Sequence, residues 1–394
     1  NDTITRSDVV IRKYLDNIFY GGIGSVKFNY ETLKATVGGG WNRYDGDHFG
    51  EITWAQNSIG TFTTNHEFYR NTGVKDDANA YARINYMATN ALYLYADIQY
   101  RHINYKVNGF DDDMRDLTQK HEYDFVNPKI GIFLQPSENI SAYLNLAKAN
   151  REPNRTTLID ADPNKPEPKH EELYNAELGG SIMSEKWSIK ANSYLMYYYD
   201  QLVLTGNIND VGSAIMENVD KSYRTGIEVM WGIAPTDWLK WTGNMTFSQN
   251  KILNFTSYTD NWDTWGQEIE EHGTTDISFS PEIITNSNIE LKPLENLSVN
   301  FITQYVGEQY IDNTSNEDRK LDAYLVNNLR IDYSVETSWW KDATIYLQVN
   351  NIFDNEYITN AWIYPFYYGD ELNKLDGYYP QAGINFMAGL NLHF

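Results

Sequence analysis

Cysteine is absent from the 394 residues, so neither a disulfide nor a thiolate zinc site can form. Long apolar runs are missing too. Mean hydropathy is −0.57, and no stretch approaches the roughly 18 apolar residues of a membrane-spanning helix, which excludes a helical membrane protein. Positive charge is scarce: 31 Lys plus Arg stand against 54 Asp plus Glu, for a net charge of −23. A chain of that sign lacks the basic footprint that a phosphate backbone demands, so a general nucleic-acid binder is excluded. The residues after Asn1 show no basic stretch followed by an apolar one and do not read as a signal peptide. What is abundant is aromatic, with 31 Tyr, 16 Phe and 11 Trp. Flat side chains at that level suit the pleated, half-exposed surface of strands.

Two-residue alternation runs through most of the chain, and helical spacing is rare. At the end, Phe386, Ala388, Leu390, Leu392 and Phe394 form one face against Met387, Gly389, Asn391 and His393. Ile345, Leu347 and Val349 oppose Thr344, Tyr346, Gln348 and Asn350, and Leu94, Ala96 and Ile98 oppose Tyr95, Asp97 and Gln99. A soluble sandwich alternates as well, so the links between strands decide. Short links (Glu31-Thr32, Thr89-Asn90, Ser184 to Lys186, Ala234 to Asp237, Pro293 to Asn296, Glu336 to Asp342) alternate with long polar ones near 45–79, 107–122, 151–171, 205–222, 251–281, 312–323 and 354–384. Tight turns at one end and long loops at the other are the asymmetry of an outer-membrane β-barrel. Trp187, Trp238, Trp339 and Trp340 sit beside the short turns, as an interfacial girdle requires.

The expected fold is all-β: an antiparallel, up-and-down transmembrane β-barrel. About fifteen strands are legible, near 22–30, 33–44, 80–88, 91–106, 123–134, 140–150, 172–183, 187–204, 223–233, 239–250, 282–292, 297–310, 324–335, 343–353 and 385–394. Bacterial single-chain barrels have an even number, so either residues 7–20 hold a sixteenth strand or an N-terminal portion lies outside this sequence; Asp16 to Gly21 (DNIFYG) reads as a loop entering a strand, which favours the second.

Four stretches carry a family resemblance: Gly38 to Gly50 (GGGWNRYDGDHFG); Asn150 to Arg155 (NREPNR) with Pro168 to Gly179 (PKHEELYNAELG); Val349 to Tyr357 (VNNIFDNEY); and Pro380 to Phe394 (PQAGINFMAGLNLHF). Together they resemble the C-terminal barrel portion of TonB-dependent outer-membrane receptors of the Bacteroidota type. The second is similar to the family's P-x-E…Y-E-L-G stretch and the third to its N-L-F-D-x-x-Y. The resemblance implies a 22-stranded barrel holding a plug domain, of which residues 1–394 would be the C-terminal part, with the plug and first strands absent. It implies TonB–ExbB–ExbD as partners through the missing part, a lipid bilayer with lipopolysaccharide as surroundings, and a surface lipoprotein as a candidate partner. Cargo in the family is an iron–siderophore complex, haem or cobalamin, and sometimes a glycan. A terminal aromatic such as Phe394 would be read by the barrel-assembly machinery.

Chemistry-bearing motifs are few. The seven histidines are scattered without metal-binding spacing, and neither Asp111-Asp112-Asp113 nor Asp160-Ala161-Asp162 matches a twelve-residue calcium loop. No nucleophile elbow, phosphate loop or zinc-protease motif occurs. Neither enzyme activity, nor a cofactor, nor a bound metal is expected. Cargo contacts are expected from inward residues near the long loops: Arg43 and Tyr44 on one strand, Arg101 and Tyr105 on another, Arg151, Asn154 and Arg155 at the loop 151–171, and Trp362, Tyr364, Tyr367 and Tyr368 in the last long loop. Arginines and aromatics give most binding energy in pockets, although each could instead pair with a nearby acid or pack loop against loop. The expected function is active import of a scarce bulky nutrient. The alternative is a passive porin of sixteen strands, against which the long Trp- and Tyr-rich loops weigh.

Overall fold

A computed structural model describes residues 6–57, 65–161, 167–208, 212–335 and 342–393. Asp162, Trp339, Trp340 and Phe394 lie outside the described residues, as does most of the turn expected from Glu336 to Asp342. The described chain is nearly all strand: β1 (Val9–Asn29), β2 (Leu33–Ala55), β3 (His66–Met87), β4 (Leu92–Gly109), β5 (Gln119–Ser137), β6 (Ile140–Arg151), β7 (Glu171–Met183), β8 (Trp187–Ile208), β9 (Ala214–Thr236), β10 (Leu239–Asn261), β11 (Gly266–Asp276), β12 (Ile283–Leu294), β13 (Leu297–Val306), β14 (Gln309–Tyr310), β15 (Lys320–Leu321), β16 (Tyr324–Val335), β17 (Asp342–Asn350), β18 (Ile358–Tyr368), β19 (Glu371–Pro380) and β20 (Asn385–His393). The helix α1 (Arg155–Ile159) interrupts them once. Among the described residues no helix is long and apolar enough to cross a membrane.

Each of the fifteen stretches expected from alternation overlaps a strand, but the count is too low, 297–310 is broken after Val306, β17 ends at Asn350, and Asp16 to Gly21, read as a loop, lies within β1. Eighteen strands are sheet strands, and β14 with β15 forms a separate ribbon. The strands not anticipated, β11, β15, β18 and β19, all lie in segments expected to be long loops, while β14 is the end of the stretch expected as one strand over 297–310. Outside the apolar layer a strand needs no lipid face, so its alternation disappears from the sequence while its backbone bonds persist. The hairpins β10–β11 and β18–β19 are built that way, turning at Asn261↔Gly266 and Tyr368↔Glu371.

The chain forms two compact units, Asn1–Met87 with Tyr95–Lys129 and Ala88–Leu94 with Ile130–Phe394. In the first, β1, β2 and β3 pair antiparallel, from Asn29↔Lys34 and Leu33↔Tyr86 at the short turn outward. Val37 and Trp41 share one face with Ala82 and Ala78, and Thr36 and Asn42 share the other with Arg83 and Asp77. In the second unit, β6 to β10, β12, β13, β16, β17 and β20 follow one another as antiparallel neighbours. Tight closures join them at one end: Ser184 N–H donates to Trp187 O (2.7 Å), and Leu294 faces Leu297. Among the described residues β1 has a ladder partner only in β2, and β20 only in β17.

Exposure follows alternation. In β17, Ile345 and Leu347 are 54% and 43% exposed, while Thr344, Tyr346 and Gln348 between them are half-buried. Apolar residues open to the surroundings and polar ones turned inward are the pattern of a strand set in lipid around a wet interior. The dry cores sit instead among the strand extensions and long loops. Val203, Val219, Ile252, Phe255 and Ile277 form one, and Ile311, Leu321, Ala361 and Ile363 another.

Candidate functional site

In the first unit, Arg43 and Tyr44 are consecutive on β2 and therefore face opposite ways. Arg43 shares the face of Val37 and Trp41 and donates from Nη1 to Asp76 Oδ2 (3.3 Å). Tyr44 lies on the polar face and donates to Asn17 Oδ1 (2.8 Å). Arg101 grips Asp77 through Nε (3.1 Å to Oδ1) and Nη2 (2.5 Å to Oδ2), and Tyr105 is buried. These arginines are thus occupied by acids of their own sheet.

In the second unit the segment 151–171 is latched at its base. Arg151 and Glu171 are the last cross-strand pair of β6 and β7, and their side chains form an ion pair. Glu171 is buried and its Oε1 also accepts from the Leu202 N–H (2.8 Å). Asn154 caps α1, its Oδ1 accepting from Thr157 N–H (2.8 Å). Arg155 opens that helix.

Behind the latch lies a cavity of about 590 Å³, lined by Arg151, Glu171, Tyr198, Gln201, Arg224 and Ser280 among others. Tyr198, Ser222 and Arg224 lie on the polar face of β8 and β9, opposite the face of exposed Leu195 and Ile227. Asp200, at φ +49°, breaks the alternation of β8, which lets Tyr198 and Gln201 line the same space. Gly226 gives Tyr194 room: a Cβ there would meet the Tyr194 hydroxyl oxygen at 2.7 Å. Arg224 Nη1 donates to Ser280 Oγ (2.9 Å) and Asn250 Oδ1 (3.4 Å). Its cross-strand neighbours, Met196 and Asn250, are neutral.

The hairpin of β18 and β19 carries the other cluster. Trp362, Tyr364, Phe366 and Tyr368 occupy one face of β18, since they alternate with Ile363, Pro365 and Tyr367. Trp262 stacks on Phe366 with ring centroids 4.0 Å apart and meets the Tyr364 and Tyr368 rings at 6.4 Å. Tyr364 donates to Asp260 Oδ2 (2.6 Å). Tyr367 belongs to the opposite face, where its backbone carbonyl accepts from Trp262 N–H. The structure therefore puts Trp362, Tyr364 and Tyr368 on one face of β18, the two tyrosines joined by Trp262, sets Arg151 on the cavity wall, and leaves Asn154 as a helix cap.

Residues 2–352 match the family described as TonB dependent receptor-like, β-barrel. The chain belongs to that family. Solved structures share its fold. The ferric-catecholate import receptor Fiu from E. coli K12 aligns with a TM-score of 0.70 at 17% identity, covering 97% of this chain and 55% of that one. The siderophore receptor PiuA from Acinetobacter baumannii gives 0.72 at 16%, covering 96% and 56%. The copper transporter OprC gives 0.73 at 15%, covering 98% and 57%. The receptor chain thus spans a little over half the length of these solved relatives.

Two motifs that carried the family resemblance prove to be devices of the receptor's fold. Asn351 in Val349 to Tyr357 is 2% exposed at φ +50°, and its amide bonds both Asn355 and Ala382. Asp354 Oδ1 accepts from Ile384 N–H (2.7 Å), so the motif staples residues 351–355 to the start of β20. Glu171 does the same for the second motif. Arg224 is the residue of the receptor's cavity that sequence reasoning missed. Parity alone marked it as inward; that no acidic residue lies directly across on either neighbouring strand comes from the registers.

Proposed function

We propose that this receptor is the C-terminal part of one transmembrane barrel that imports an iron–siderophore complex through the bacterial outer membrane. The family match over residues 2–352 carries the reading. Two of the three solved relatives above are named for ferric-catecholate import and siderophore reception, which supports iron chelates over haem or cobalamin. The strand faces support it as well, because an apolar outer face and a polar inner face are what lipid on one side and water on the other select. Capture falls to the inward residues at the long-loop end and to the aromatic face of Trp262, Tyr364 and Tyr368. TonB, working with ExbB and ExbD, would supply the energy by pulling on an N-terminal plug, an order–disorder change that involves no chemistry on the cargo. Nothing favours the sixteen-stranded passive porin.

Iron-limited cells expressing the receptor, with and without a functional TonB, test the proposal. Accumulation of ⁵⁵Fe supplied as siderophore complexes should require both proteins and saturate at low substrate. Uptake that rises linearly with concentration and persists without TonB would point to a passive pore.

A further inference from the structure

Arg224 is a half-buried cation on the polar face of the second unit. Its Nη1 is used by Ser280 and Asn250, both neutral, and among the described residues no carboxylate forms an ion pair with it. Nε–H and the two Nη2 hydrogens have no acceptor among those residues, and together they form the side of the guanidinium that matches a carboxylate in a two-point fork. Tyr198 stands across from Ser222, one step along the same face, so the two side chains are diagonal neighbours on paired strands. Its hydroxyl likewise has no hydrogen-bond partner among the described residues, and it lines the same cavity. Glu171, the cavity's one carboxylate, is engaged by Arg151 and the Leu202 N–H. Two guanidiniums therefore face one neutralised acid in a chain whose net charge is −23. Withdrawing a guanidinium from water without a counter-ion is unfavourable. A cavity of about 590 Å³ is in the range that holds small ligands.

Resting on the importer reading, we propose that this cavity is a carboxylate-binding site, in which Arg224 forks onto a carboxylate of the cargo and the Tyr198 hydroxyl donates to the same group. The cargo class is then an iron chelate with at least one carboxylate not consumed by the metal. In an acidic chain, an inward guanidinium with no ion-pair partner among the described residues also draws an anion to its place.

The test uses the purified intact receptor in detergent, with ferric citrate and free citrate as carboxylate probes and an uncharged ferric trihydroxamate as control, read by intrinsic fluorescence and calorimetry. The wild type should bind ferric citrate, more weakly as salt rises. Arg224→Gln should weaken that binding by on the order of tenfold or more, since a charge-assisted two-point contact is lost. Arg224→Lys, which keeps charge without the fork, should fall between. Any affinity for the trihydroxamate should be unchanged. Should Arg224→Gln fail to fold, Tyr198→Phe decides, with an expected loss of a few fold. No carboxylate binding by the wild type, unchanged binding in Arg224→Gln or in Tyr198→Phe, or equal losses for charged and uncharged probes overturns the proposal. TonB-dependent ⁵⁵Fe uptake is scored separately: uptake without carboxylate preference retires the site and keeps the importer, whereas Arg224-dependent binding without uptake retires the importer and keeps the site.

Discussion

Replacing Asn351 should unfold the receptor's C-terminal staple more than any nearby surface change. Its Nδ2 donates to Asn355 O (2.9 Å) and Ala382 O (3.3 Å), its Oδ1 accepts from Asn355 N–H (3.0 Å), and its own N–H donates to Asn328 Oδ1 (2.9 Å). Asn351→Ala deletes the first three, each worth about 1 kcal/mol net. It also leaves an alanine at φ +50°, a left-handed conformation that costs roughly 1 kcal/mol more for alanine than for glycine. The expected loss is therefore about 3–5 kcal/mol for alanine and about 1 kcal/mol less for Asn351→Gly. Asn351→Asp keeps the acceptor but sets an anionic oxygen against two carbonyls, and should be no milder than alanine. Urea unfolding of the protein reconstituted in lipid vesicles measures all three. A loss under about 1 kcal/mol for alanine, or a glycine variant worse than alanine, would refute the assignment of the motif as a buried hydrogen-bonded staple.

Other outcomes follow from the same structure. Leu347→Arg, on the outward face of β17, should cost about 2–4 kcal/mol in vesicles if it lies near the bilayer midplane, whereas Gln348→Arg on the inward face should be mild. Arg319 and Asp312 form a buried ion pair (2.8 Å) in the long loop between β13 and β16. Arg319→Ala would leave a buried carboxylate uncompensated, a change worth about 3–5 kcal/mol locally, visible as faster protease cleavage between residues 307 and 323. In that loop Tyr310 donates to Glu317 Oε1 (2.8 Å), which pushes the phenol up to about 12. Lys320 and Tyr310 in turn hold the Glu317 carboxyl below its usual range. A raised phenol stabilises the loop fully below the ordinary tyrosine value of 10.0 and loses that contribution as pH climbs through about 12. The lowered carboxyl contributes above its ordinary 4.5 and fades as pH falls below it. Glu317→Gln should shift one phenolate transition back toward 10.0 in an alkaline absorbance titration.

Much of the fold was legible because lipid leaves a mark that water does not. Strands such as β17 and β20 must offer an apolar residue at every second position, and the alternation survives in the bare sequence. The hairpins β10–β11 and β18–β19 were missed because beyond the lipid layer both faces tolerate polar residues. Of the candidate site, Trp362, Tyr364, Tyr367 and Tyr368 were legible only as aromatic residues of a long loop, and it is the alternation of β18 that sets Tyr367 apart from the other three. Arg43 and Arg101 looked like cargo ligands because their acids, Asp76 and Asp77, are distant in sequence and are brought opposite only by the β2–β3 register and the fold of β4. Arg224 looked ordinary for the converse reason: its significance lies in the neutral residues across from it, which only strand pairing reveals.

The central claim, that alternate residues of these strands face lipid and a wet interior, can be read directly because the chain has no cysteine of its own. Single cysteines at Leu195, Met196, Leu347 and Gln348, treated in outer membranes with a small water-soluble thiol reagent, report each face. Labelling at 196 and 348 with protection at 195 and 347 is the predicted result. Equal labelling at all four positions, or the reverse pattern, would contradict the transmembrane barrel and the inward cavity built upon it.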